Sequence, residues 1–78
     1  MARILVIDDE ALVRRLLRKM LEQPGHTLFD APDVRKGMAL WRRKPVNIVI
    51  TDIFMTDKDG VEALMELKRS EERPKIIA

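Results

Sequence analysis

At 78 residues, 46% of them apolar and 36% charged, the chain is at most one small globular domain and not a disordered tail. The absence of cysteine excludes a disulfide framework and a thiolate metal centre. Fifteen bases against thirteen acids leave a net charge of +2, too balanced for a polycation, and Phe29, Trp41 and Phe54 are too few aromatics to interleave with the basic stretches. Direct nucleic-acid binding is therefore not expected, and "RRLLRK" (14–19) and "WRRK" (41–44) read as solvated helix faces.

Residues 4–7, "ILVI", form an apolar run closed by Asp8-Asp9, which predicts a strand buried on both faces. The run is too short for a signal peptide or a membrane span, so no membrane association and a cytoplasmic location are expected. From Glu10 the period changes. Leu12, Val13, Leu16, Leu17, Met20 and Leu21 make one helical stripe, with Arg14, Arg15, Arg18, Lys19 and Glu22 opposite. Asp9 is placed to cap this helix, and Pro24-Gly25 to stop it. Residues 26–31 predict a second strand. Asp33 is the expected N-cap of a second helix whose buried face is Val34, Met38 and Trp41. Gly37 within it weakens the helix by about 1 kcal/mol relative to Ala but permits close packing on a sheet. Pro45 ends that segment, and residues 46–51 predict a third strand. After a loop over 53–59, Asp59 and Glu62 resemble a capping box, and Val61, Leu64, Met65 and Lys68 follow helical spacing. Residues 75–78 begin a fourth strand. The order β-α-β-α-β-α-β predicts an α/β fold with a parallel sheet flanked by helices.

Ligands of such open sheets bind beyond the carboxyl ends of the strands. Asp8, Asp9 and Asp52 all fall there. Adjacent strands lie about 4.8 Å apart, so the acids converge if the first and third strands are neighbours. Like charges about 4 Å apart repel by roughly 4 kcal/mol at an effective dielectric of 20. A hard divalent cation with oxygen ligands relieves that repulsion, and Mg²⁺ keeps waters for phosphate oxygens. The chemistry this suggests is phosphoryl transfer with one carboxylate attacking. His26, the only histidine, is expected to have no catalytic role. The chain has no GxGxxG, GxxxxGK[ST] or GxSxG, which disfavours a dinucleotide or P-loop enzyme.

"ILVIDDE" (4–10), "ITDIFM" (50–55) and "DG" (59–60), at this spacing, resemble the receiver domains of bacterial two-component response regulators. The resemblance runs over the whole chain and makes residues 1–78 the N-terminal portion of a single receiver with a flavodoxin-like (CheY-like) fold. It implies the family's five-stranded sheet in the order 2-1-3-4-5, with the first and fifth helices on one face and the second, third and fourth on the other, of which this chain is an incomplete part. It implies that Asp52 is the phosphoacceptor, taking a phosphoryl group from a sensor histidine kinase. It further implies that Mg²⁺ is held by Asp8, Asp9, Asp52 and the backbone carbonyl of Phe54. Thr56 stands where the family usually has proline, and Asn47 where aspartate is common.

Complete receivers are longer. By the resemblance the chain stops within its fourth strand, short of the family's switch hydroxyl and phosphate-binding lysine, so impaired switching is expected. An unpaired fourth strand invites self-association into a homodimer or higher oligomer. An inactive structural fragment is the alternative to a signalling module. A small Mg²⁺-dependent phosphatase-like enzyme is disfavoured, because Phe54 occupies the place of a second acid; the chain is expected not to be an enzyme.

Overall fold

The computed structural model describes residues 2–22, 24–51, 58–71 and 73–77, with 58 and 59 described by backbone only. Seven elements follow in order: β1 (Arg3–Ile7), α1 (Ala11–Glu22), β2 (Thr27–Ala31), α2 (Val34–Arg43), β3 (Ile48–Thr51), α3 (Lys58–Arg69) and β4 (Lys75–Ile77). The strands form one parallel sheet in the order β2-β1-β3-β4, the flavodoxin-like arrangement the sequence predicts. No helix among the described residues is long and apolar enough to cross a membrane.

β1 is interior, and residues 4–7 are all buried, as a continuous apolar run requires. Its side chains alternate between the two faces. Leu5 and Ile7 join Val49 beneath α2 and α3, where Val34, Met38, Trp41, Val46, Ala63 and Leu67 complete the larger core. Ile4 and Val6 turn the other way, to Leu28, with Leu17 and Leu21 of α1 and Ile48 and Ile50 of β3 packed around them.

α2 begins as its sequence predicts. The carboxylate of Asp33 accepts from the Lys36 backbone N–H at 2.8 Å, and Val34, Gly37, Met38 and Trp41 are buried. A Cβ on Gly37 would stand 2.6 Å from Ile7 Cδ1, so the glycine does permit α2 to lie close on β1. Gly25, at φ 95°, takes the left-handed turn after α1 and donates its N–H to the Glu22 carbonyl.

Three expectations change. The α1 stripe is only half used: Val13, Leu17 and Leu21 are partly buried, whereas Leu12, Leu16 and Met20 are 62, 51 and 67% exposed. α3 turns a different face inward. Gly60, Ala63 and Leu67 are buried at spacings of three and four, while Val61 and Met65 are exposed. Small residues at 60 and 63 let this helix approach its neighbours, which sets the face by fit rather than by bulk apolarity. Finally, α3 starts at Lys58, so Asp59 lies in its first turn and is not the N-cap.

β2 and β3 begin slightly later than predicted, at Thr27 and Ile48. The residues that precede them have structural duties instead. His26 Nδ1 accepts from the Ala2 backbone N–H at 3.1 Å. Asn47 Oδ1 accepts from the Arg3 N–H at 2.7 Å, the Asn47 N–H donates to the Arg3 carbonyl, and the Asn47 carbonyl accepts from the Lys75 N–H. Asn47 thus joins the entrances of β1, β3 and β4.

Candidate functional site

The registers fix which strand ends meet. Ile7 lies opposite Thr51 on one side and Ala31 on the other. The residue after Ile7 is Asp8, and the residue after Thr51 in the sequence is Asp52. Adjacency of the first and third strands, the condition for the acids to converge, is therefore met. Asp52 and Phe54, with Thr56, lie outside the described residues.

Asp8 and Asp9 differ in their surroundings. Asp8 is 6% exposed and is held at three points. Its backbone N–H donates to the Ala31 carbonyl at 3.1 Å, which extends the β1–β2 ladder by one residue. Its Oδ1 accepts from the Glu10 N–H at 2.8 Å, an aspartate side chain bonding the backbone two residues on. Its carbonyl accepts from Arg14 Nη1 at 2.6 Å. Asp9 is exposed. The carboxylate bonded in the turn before α1 is thus that of Asp8, which accepts from Glu10 rather than from the helix's own amides, and Asp9 does not take the capping position expected of it. The helix begins at Ala11, and the Glu10 carbonyl accepts its first bond, from Arg14 N–H, so Asp9 lies one residue before the cap.

This donor set suits a hard cation. Asp8 and Asp9 offer carboxylate oxygens at one strand end, one of them fixed and one open to solvent. One Asp8 oxygen accepts from the Glu10 amide. Next to this edge, Thr51 is buried at 2% exposure and ends β3.

A second set of charges pins α1. Arg18 donates to Glu22 at 2.7 Å and to Asp30 of β2 at 3.1 Å, and the Asp30 hydrogen bond is the main reason its pKa is raised. The opposite face is tied by Arg42 of α2. Its Nε and Nη2 donate to the two Glu66 oxygens at 2.8 and 2.6 Å, a bidentate pair that lowers the Glu66 pKa chiefly through hydrogen bonding. No spacing rule would have singled out Arg14, because a long side chain bonding a backbone carbonyl leaves no periodic signal.

Comparison with known proteins agrees with this geometry. Residues 4–78 match the family model for the response regulator receiver domain. The chain is 35% identical over 75 residues to a probable transcriptional regulator, ycf27, of Porphyridium aerugineum; the match covers 96% of this chain and 31% of that protein. The chain thus spans about a third of the length of the curated relatives it matches. Among solved structures, a response regulator receiver domain protein from Clostridium thermocellum superposes with a TM-score of 0.79 at 28% identity, over 97% of this chain and 62% of that one. TrrA of Thermotoga maritima, at 32% identity, covers 97% of this chain and 66% of its own. It superposes with TM-scores of 0.78 in complex with Mg(2+)-BeF and 0.77 in complex with the histidine kinase ThkA.

Proposed function

Because the chain belongs to the response regulator receiver domain family, a family of signalling domains, we propose that it accepts a phosphoryl group on Asp52 from a sensor histidine kinase. The supporting observation is the parallel pairing of β1 with β3, in which Ile7 and Thr51, the residues before Asp8 and Asp52, stand opposite each other. The likeness to TrrA, solved with Mg(2+)-BeF and with ThkA, supports both the cation and the class of partner.

In this reading an Asp52 carboxylate oxygen attacks the phosphorus of a phosphohistidine. A P–O bond forms and the P–N bond breaks. The departing imidazole nitrogen keeps the electron pair and takes a proton. Asp8, Asp9, Asp52 and the Phe54 carbonyl would hold Mg²⁺, which offsets the charge on the phosphoryl oxygens. Asp8, buried and held at three points, keeps its carboxylate in one place; exposed Asp9 would supply the direct ligand. In this reading the domain meets its kinase in the cytoplasm, and no direct nucleic-acid contact by this domain is required.

The test is intact mass after incubation with Mg²⁺ and a small acyl phosphate. The wild-type chain gains one phosphoryl group, and both Asp52→Ala and removal of Mg²⁺ abolish the gain. A wild-type chain that gains nothing at any Mg²⁺ concentration contradicts the proposal.

A second reading is favoured by the sheet edge. Among the described strands β4 is one of the two at an edge, with β2 at the other; Ile77 is 46% exposed, and Leu12, Leu16 and Met20 are uncovered on α1. In this reading two copies of the 78 residues pair through β4 and act as a structural unit without phosphoryl transfer. Light scattering at micromolar concentration decides it: a dimer fits, and a well-folded monomer excludes it.

A further inference from the structure

α1 carries three arginines on its polar side, and they do different things. Arg15 is exposed. Arg18 ties the helix to β2 through Asp30. Arg14, in the first turn of α1, reaches back over the helix start, and its Nη1 donates to the Asp8 carbonyl at 2.6 Å. A cation in the first turn lies against the positive end of the helix dipole, so its position there is unfavourable by itself. A charge-assisted hydrogen bond to a carbonyl offsets that cost.

The bond completes a closed set around one residue. The Asp8 N–H is held by Ala31, its Oδ1 by the Glu10 amide, and its carbonyl by Arg14, whose own N–H donates to the Glu10 carbonyl. The turn from β1 into α1 is therefore clamped from the strand side and from the helix side. The peptide that Arg14 grips is the one joining Asp8 to Asp9.

We propose that Arg14 is a positioning residue for the metal site: by fixing the Asp8–Asp9 peptide it sets the direction of the Asp9 carboxylate. The inference rests on the metal reading of Asp8 and Asp9 given above. It carries a sign that separates it from simple electrostatics. A guanidinium near two carboxylates repels a divalent cation, so removing only its charge strengthens cation binding. Removing the clamp weakens it, because groups that orient metal ligands typically contribute about 10- to 100-fold in affinity.

The experiment titrates Mn²⁺, as a spin-active probe for Mg²⁺, into the wild type and into Arg14→Ala, Arg14→Lys and Arg18→Ala, and follows amide exchange at Glu10 by NMR without metal. Arg14→Ala is expected to lower Mn²⁺ affinity by about tenfold and to speed Glu10 exchange. Arg14→Lys, which keeps a donor, is expected to restore part of both. Arg18→Ala, which loosens α1 on β2 but leaves the Asp8 carbonyl held, is expected to change neither strongly. Equal effects of Arg14→Ala and Arg18→Ala, or tighter Mn²⁺ binding in Arg14→Ala, overturn the proposal. If Arg14→Ala does not fold, Arg14→Met, which keeps an apolar stem but carries no donor, takes its place with the same expected direction and the same overturning result. A wild-type chain that binds no Mn²⁺ overturns the metal reading instead. Glu10 exchange unchanged in Arg14→Ala overturns the clamp whatever the metal does.

Discussion

On the face of the sheet that carries α2 and α3, Leu5, Ile7, Val34, Met38, Trp41, Val46, Val49, Ala63 and Leu67 close into one core. On the face that carries α1, Ile4, Val6 and Leu28 are as deeply buried, yet α1 itself contributes no buried residue. Its seat consists of partly buried Leu17 and Leu21 together with polar ties from Arg14 and Arg18. The amphipathic pattern of a helix thus tells which way it turns. How much of that face is covered depends on the neighbours on either side, which the helix's own sequence does not contain.

The sharpest way to break this contrast is a pair of leucine truncations. Leu67, 2% exposed in the larger core, should cost about 2–5 kcal/mol when replaced by alanine. Leu16→Ala on α1, where the side chain is 51% exposed, should stay within about 0.5 kcal/mol. Urea midpoints at unchanged slope measure both, and similar shifts would mean that the uncovered half of α1 is buried in solution.

A smaller effect is expected where α2 meets β1. In Gly37→Ala the new methyl would lie 2.6 Å from Ile7 Cδ1 and 2.8 Å from Ile7 Cγ1. Overpacking costs about 1–3 kcal/mol and the gain in helix propensity returns about 1, so a net loss on the order of 1 kcal/mol should follow. Adding Ile7→Val, which removes Cδ1, should recover part of it. Strict additivity of the two changes would show that the close approach carries no energy.

The smallest effect is on the Arg42–Glu66 pair. Arg42 holds the Glu66 carboxyl below its ordinary value of 4.5, chiefly by hydrogen bonding. A carboxylate with a depressed pKa stabilises the fold above the ordinary value, and that contribution is lost as pH falls through the lower folded value. For a pair this exposed it is worth about 0.2–1 kcal/mol. Glu66→Gln should therefore be slightly less stable than wild type at pH 7, and the difference should shrink below pH 4.5. A difference that holds steady into acid would assign the effect to packing.

The same contrast explains what the sequence disclosed. The run at residues 4–7, the Asp33 cap and the Pro24-Gly25 stop are local features, and each stands where its own chemistry puts it. The alternation of strands and helices was enough for a parallel sheet, and the motif resemblance supplied its order. What escaped was decided by contact between elements. Small residues at 60 and 63 turned α3 by about one position from its bulkier face. One half of the α1 stripe stayed open, and Asp8 rather than Asp9 makes the carboxylate bond in the turn that leads into α1. At the candidate site, position alone pointed to Asp8 and Asp9 at the end of β1; Asp52 lies outside the described residues. The Arg14 bond to the Asp8 carbonyl and the link that Asn47 makes among strand entrances involve backbone partners, and those become visible only in the folded chain.

The carboxyl ends of β1 and β3 are proposed to form one cation-binding edge. Paramagnetic broadening of amide signals by substoichiometric Mn²⁺ tests it most directly. Signals of Asp8, Asp9, Glu10 and Thr51 should broaden first, while Arg3, Asn47 and Lys75 at the opposite ends of the strands stay sharp. Broadening that begins at those amino ends, or spreads evenly along the strands, would contradict the claim.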